Sequence, residues 1–132
     1  MKYVLDTNTC IYIINRHSPR IEKKFEALMI GDVGISSITC AELQFGISNS
    51  SNQKQNQEAL NEFLGPLEIL DFPSGACPIY GEIRAKLKKS GTIIGPLDLL
   101  IGAHALFLQA ILVTNNENEF SRISGLKTEN WI

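Results

Sequence analysis

An α/β domain with a mainly parallel sheet is what this chain predicts, and three observations carry the prediction. Short apolar runs of strand length alternate with stretches of helical spacing along the chain. Helices lying between successive strands act as crossovers, which makes those strands parallel. The length of 132 residues, 44% of them apolar, fits one globular domain over residues 1–132, with no linker, repeat or shift of composition to divide it.

The elements follow in order. Tyr3–Leu5 reads as a strand, and Asn8–Asn15 as a short helix carrying Cys10, Ile11, Ile13 and Ile14. His17 reads as a loop residue. Ser18-Pro19 then supplies an N-cap and a proline at the first helical position. The helix they open places Ile21, Phe25, Leu28 and Met29 on one face, with Glu22, Lys23, Lys24 and Glu26 outside. Gly31-Asp32 turns the chain into a second strand, Val33–Ser36. Ile38–Phe45 is helical and is expected to end at Gly46. Ser48–Gln57 is polar, a loop or a solvated helix start, and Ala59–Leu64 is a helix that Gly65-Pro66 stops. Glu68–Phe72 is a third strand. Ala76–Lys89 is a helix with a strongly basic second half, closed by Ser90-Gly91. Gly95-Pro96 opens a helix over Leu97–Leu108 that is apolar on nearly every face and therefore buried. Ile111–Thr114 is a fourth strand and Leu126–Glu129 a short fifth.

Composition removes several classes of function. The net charge of −2 gives no global basic signature, so contact with nucleic acid requires a local patch. Asp6 interrupts the N-terminal apolar run before a signal peptide could form. The longest apolar stretch, Leu99 to Val113, contains His104 and Gln109 and is shorter than the ~18 residues of a membrane span. A cytoplasmic protein without a membrane partner is expected. Cys10, Cys40 and Cys77 are odd in number and lack ligand spacing, which reads as buried free thiols in a reducing compartment. No Ser-His-Asp order, glycine-rich phosphate loop or Cys/His zinc spacing is present.

The acids carry the chemistry. In an open α/β sheet, ligands bind at the carboxyl ends of the strands. Asp6 follows the first strand directly, and Glu42, Asp98 and Glu119 stand beside similar boundaries. Acids gathered at that edge repel one another unless something positive sits among them, and a hard divalent cation suits oxygen ligands. Each also has a plainer reading. Asp6 suits an N-cap, although Thr7 or Asn8 can take that task and leave Asp6 over the sheet edge. Glu42 suits a solvated helix face. Asp98 suits the positive end of its helix, although a carboxylate entering a buried helix is costly unless exposed, paired or bound to metal. Glu119 competes with its neighbour Glu117. Asn8, Ser37, Thr114 and Asn116 are short hydrogen-bonding residues near the same edge, fit either to orient carboxylates or to make turns and caps.

Arg84, Lys86, Lys88 and Lys89 form the densest positive cluster, with Arg84 and Lys88 four apart on one helix face. It reads either as a solvated face or as a track for a phosphate backbone. His104, six residues after Asp98 in an apolar helix, reads as a core or pocket-wall histidine.

Taken together, Val4-Leu5-Asp6-Thr7-Asn8, Ile35-Ser36-Ser37 leading to Ala41-Glu42-Leu43, Gly95-Pro96-Leu97-Asp98, and Val113-Thr114-Asn115-Asn116 running into Glu119-Phe120 resemble the PIN-domain ribonucleases. The resemblance is nearest to the VapC toxins of bacterial toxin–antitoxin pairs, and it extends through Gly125-Leu126-Lys127-Thr128-Glu129-Asn130-Trp131. It implies a PIN-like three-layer α/β/α sandwich and hydrolysis of structured RNA, in several relatives a tRNA. It also implies magnesium or manganese held by Asp6 and Asp98 with help from Glu42, so that a bound water is activated. Asp6, Glu42 and Asp98 match the three core acids by position. Many relatives carry a fourth, an Asp, where this chain has Asn116, and Glu119 is its nearest substitute. A cognate antitoxin, operator DNA reached only through that antitoxin, and a homodimer or hetero-oligomer are implied as well.

A receiver-like signalling domain is the rival, with Asp6, Asp71, Thr114 and Lys127 as its phosphoacceptor machinery. Receivers usually carry adjacent acids after the first strand, where Thr7 follows Asp6 here, and the rival gives Glu42 and Asp98 no task. A haloacid-dehalogenase-type phosphatase would want an Asp where Asn8 stands, and a metal-free binding domain of the PIN type would usually have lost core acids.

Overall fold

The computed structural model describes residues 1–16 and 18–132; His17 lies outside the described residues. Five parallel strands, β1 (Tyr3–Leu5), β2 (Val33–Ser36), β3 (Glu68–Leu70), β4 (Ile111–Val113) and β5 (Thr128–Glu129), form one sheet in the order β3-β2-β1-β4-β5. Its register pairs Tyr3 with both Val33 and Ile111, and Leu112 with Thr128. The helices are α1 (Thr7–Asn15), α2 (Pro19–Glu26), α3 (Ser37–Ser48), α4 (Gln53–Leu64), α5 (Cys77–Ser90), α6 (Pro96–Leu108) and the single turn α7 (Glu117–Phe120).

Alternation along the strands makes the three layers. Val4 and Leu112 point to one face and pack with Leu87 of α5 and Leu99, Ile101 and Ala105 of α6. Leu5, Ile35 and Val113 point to the other, against Cys10, Ile21, Leu43 and Leu60 of α1 to α4. Trp131 closes that second layer, edge-on to Tyr3 and Phe25. The α/β/α sandwich is therefore as expected.

Some boundaries differ. Gly46 does not end α3, which runs on to Ser48. A glycine stops a helix by taking a left-handed backbone, and Gly46 has no positive φ; in a solvent-facing helix interior it costs only about 1 kcal/mol. The polar stretch before Ala59 is helical from Gln53, because most of α4 faces solvent and Leu60 alone is buried within it. Gly91, at φ +69°, does close α5. The thiols depart from expectation too: Cys10 is buried, but Cys40 is half-buried and Cys77 is exposed at the start of α5.

The strand order reverses between β1 and β4. Chain order runs outward through β2 to β3 on one side, and β4 then joins the free side of β1. Such a switch point opens a crevice beyond the carboxyl ends of the two strands. Asp6 and Thr114 are the residues that leave β1 and β4 there.

Candidate active site

Asp6 is the N-cap of α1 and also faces the crevice. Its Oδ1 accepts from the Thr9 amide at 2.9 Å, and its Oδ2 accepts from the Thr114 hydroxyl at 2.5 Å. Neither Thr7 nor Asn8 takes over the cap, contrary to the expectation from sequence. Capping and site chemistry do not compete, because a carboxylate offers about four lone-pair positions and these bonds use two. Asp6 is only 3% exposed, so its oxygens depend on such protein donors in place of water. Among the described residues no buried polar side-chain atom lacks a partner.

Glu42 is reached through threonines. The Thr7 hydroxyl lies 2.7 Å from Glu42 Oε1 and 3.3 Å from Thr39 Oγ1. A hydroxyl has one proton, and the shorter contact to an anion takes it, so Thr39 donates to Thr7 and Thr7 donates to Glu42. Thr7 follows Asp6 directly and ties α1 to α3. Sequence reasoning assigned it only to capping, although its place beside Asp6 was a signal for this role.

Asp98 sits in the first turn of α6, half-buried. Its carboxyl is pushed up to about 6, first by burial and then by the negative charges of Glu119, Asp6 and Glu42. The acids of all four segments thus stand within one electrostatic neighbourhood. Among the described residues no three acidic, histidine or cysteine side chains are drawn into a closed metal cage. The two findings describe different things: the carboxylates feel one another's charge without converging on a point. A set of hard oxygen donors that raises the proton affinity of its own member fits a divalent cation.

Glu119 and Glu117 point to different places. The Asn116 amide group donates to Glu119 Oε2 at 2.5 Å, and the Asn116 backbone N–H donates to Thr114 Oγ1 at 2.9 Å. Asn116 therefore links Glu119 to the threonine that holds Asp6. Glu117 is exposed and accepts from Thr128 of β5 at 2.9 Å. The α7 turn keeps its place because Phe120 and, just after the turn, Ile123 are buried against α6 at Gly102. A Cβ at Gly102 would lie 2.6 Å from Ile123 Cδ1.

The other polar residues divide. Ser37 accepts from the Phe72 amide at 3.0 Å, fastening the end of β3 rather than a carboxylate, and Asn8 is exposed. The neighbouring Ser36, not singled out in sequence, is buried and caps α3 by accepting from Ile38 N. His104 Nδ1 lies 2.8 Å from Ser36 Oγ, and burial pushes its pKa below the usual value. It is a core histidine that joins α6 to the start of α3.

The basic cluster also divides. Arg84 and Lys88 line a groove of about 320 Å³ with Gly95 and Pro96, at the entrance of the helix that carries Asp98. Lys86 and Lys89 are exposed outside it. Asp71 is exposed beyond β3, an edge strand that β2 separates from β1. A receiver places its third strand beside the first, in the order 2-1-3-4-5, so this topology removes the rival.

Comparison with known proteins agrees with the geometry. The family model described as the PIN domain matches residues 3–126. Ribonuclease VapC2 of Rickettsia felis is 48% identical over 132 residues, covering 99% of this chain and 98% of its own length. The tRNA(fMet)-specific endonuclease VapC of Shigella flexneri is 37% identical over 131 residues, covering 99% of this chain and 98% of its own. Among solved structures, VapBC2 of Rickettsia felis bound to a DNA fragment from its promoter contains a chain with TM-score 0.95 and 47% identity, covering 100% of both chains. VapBC-1 of nontypeable Haemophilus influenzae gives TM-score 0.92 at 37% identity, covering 99% of this chain and 98% of that one. A chain with this sheet order, these acids at its carboxyl edge and relatives this similar over their full length belongs to the PIN-domain family, among the VapC ribonucleases.

Proposed function

We propose that this chain is a divalent-metal-dependent endoribonuclease toxin, cutting structured RNA and neutralised by a cognate antitoxin. One observation carries the reading: beyond the effect of burial, the charges of Glu119, Asp6 and Glu42 all bear on Asp98 at the carboxyl edge of the sheet. The tRNA(fMet)-specific endonuclease of Shigella flexneri makes a tRNA the first substrate to test. Magnesium or manganese, held by Asp6 and Asp98 with help from Glu42, would supply Lewis acidity and an activated water.

The chain's own residues supply the rest. Thr9 and Thr114 fix both oxygens of Asp6, so the carboxylate does not swing when charge develops beside it. Thr7, backed by Thr39, fixes Glu42 from the opposite wall. Glu119 is held by Asn116 and would support the cation beside Asp98, the acid on which its charge bears. Arg84 and Lys88 draw the RNA backbone toward this edge.

Neutralisation has a physical route. Glu42 stands on the wall of a groove of about 290 Å³ between α1, α3 and α4, lined also by Ile11, Ile14, Leu43 and Ile47. An antitoxin segment with an apolar face fits that groove, and an Arg or Lys at its end would meet the acids in place of the metal. VapBC2 of Rickettsia felis was solved bound to promoter DNA, which supports operator contact for a complex of this kind. A soluble cytoplasmic toxin is consistent with the absence, among the described residues, of any helix long and apolar enough to cross a membrane.

The test compares wild-type and Asp6→Asn proteins incubated with total cellular RNA and magnesium. Wild type is expected to release discrete fragments, chelator to stop it, and Asp6→Asn to be inert. Equal cutting by both proteins would sink the mechanism.

A further inference from the structure

The groove beside the basic helix has more structure than a backbone track requires. Its bottom is closed by core residues, Leu87 from α5, Ile94 from the connection and Leu99 from α6, and its accessible apolar surface comes from the exposed Ile93 and Pro96. Its rim carries two cations, Arg84 and Lys88, one helical turn apart. Arg84 is held in place: its Nη1 donates to the Tyr80 hydroxyl at 2.6 Å, and its guanidinium lies 5.8 Å from the Tyr80 ring centroid. The far wall is fixed too. Arg122, which follows α7, donates to the Ile93 carbonyl at 3.0 Å, and Thr92 N bonds to the Leu87 carbonyl. Gly95 and Pro96 bring the groove to the start of α6, the helix whose first turn also carries Asp98.

A ligand for this groove has a flat apolar body and an attached anion. At about 320 Å³ the groove lies at the small end of small-ligand pockets, roughly 300–1,000 Å³, so it admits one such unit and not several. A nucleotide has both parts, and a chain of nucleotides passing Asp98 would place one here. A base within a duplex shows only its edge, whereas an apolar surface needs a face. We propose that this groove is a subsite for a single unpaired nucleotide of the RNA flanking the cut, its base against Ile93 and Pro96 and its phosphate between Arg84 and Lys88. The proposal rests on the ribonuclease reading and adds to it a source of selectivity for loops over stems.

Gly95 makes the test specific. A Cβ there meets nothing within 4 Å, and its φ of −53° suits any residue, so Gly95→Leu narrows the groove without altering its charge. Ile93, 69% exposed, gives a second variant, Ile93→Glu, that sets a negative charge at the rim without touching the core. Binding of a labelled short unstructured RNA and of an RNA duplex is measured in the cleavage-inactive Asp6→Asn protein, and kcat and KM on bulk tRNA in the active one. Gly95→Leu and Ile93→Glu are expected to weaken single-stranded binding and raise KM by about tenfold, leaving duplex binding and kcat within about twofold. Arg84→Ala and Lys88→Ala should each lower the salt slope by about 0.7, while Lys54→Ala on α4 serves as the control. Unchanged single-stranded binding in both Gly95→Leu and Ile93→Glu would overturn the subsite, as would equal weakening for single strand and duplex. Groove variants that keep RNA kinetics but escape the antitoxin would assign the groove to that partner instead. If the unsubstituted protein neither binds nor cuts RNA, the ribonuclease reading itself has failed.

Discussion

Thr114 donates its hydroxyl proton to Asp6 across 108 positions of sequence and 2.5 Å of space. The bond joins the ends of β1 and β4, the two strands flanking the switch point. It sets where the most buried acid of the site stands. Thr114→Val keeps the shape but removes the donor. A charge-assisted bond of this kind contributes about 1.5–3 kcal/mol, and loss of such a support lowers activity by about 10–100-fold. Thermal unfolding and initial rates on tRNA check both effects, and a Thr114→Ser variant should recover most of the rate.

Asp6→Asn removes the charge and keeps the cap, because Asn is as good an N-cap as Asp. Cleavage should vanish while the melting temperature stays near wild type. Asp6→Ala should lose cleavage and, in addition, about 1 kcal/mol of stability through the cap. Identical melting of the two variants would show that the bond from Thr9 does not hold α1.

Asp98 gives stability an unusual slope with pH. Its carboxyl is pushed up to about 6, against 3.8 for an ordinary aspartate, so between those values the folded chain keeps a proton that the unfolded chain has lost. Stability from this group therefore falls as pH rises from about 4 to about 6 and stays lowered above that. Asp98→Asn should flatten the slope and raise the melting temperature at pH 7. Manganese, competing with the same proton, should stabilise wild type more at pH 7 than at pH 5. Parallel melting curves for wild type and Asp98→Asn across that range would refute this.

His104 acts in the opposite sense. Burial lowers its pKa, so as pH falls below about 6.5 the unfolded chain takes up a proton that the folded chain resists, and stability declines. His104→Asn can keep the contact to Ser36 without titrating and should lose that decline. His104→Leu leaves Ser36 without its partner in the core and should cost about 1–3 kcal/mol. Melting temperatures from pH 5 to pH 8 separate the variants.

Glu119→Gln should slow cleavage less than Asp98→Asn, and Glu117→Gln should change little. Glu119 is tied through Asn116 to the Asp6 support, whereas Glu117 is bonded to Thr128 away from it. Rate measurements at saturating magnesium check the order. A silent Glu119→Gln with a damaged Glu117→Gln would reverse the assignment.

The fold class, all five strands and the segments that deliver the acids were legible in the sequence. Those features are written in local chemistry: apolar runs of strand length, proline at helix starts, and acids just past strand ends. Helix ends were less legible, because Gly46 and Gln53 lie on solvent-facing surface where either state costs little. How the acids are held depends on contacts between distant segments. Strand order puts β4 beside β1, so Thr114 meets Asp6; α1 packing on α3 lets Thr7 meet Glu42. The same arrangement parted Glu119 from Glu117, removed Ser37 from the acids, and set Arg84 and Lys88 apart from Lys86 and Lys89. Such contacts join residues whose separation along the chain carries no periodic signal, so they exist only once the sheet is ordered and the helices are laid across it.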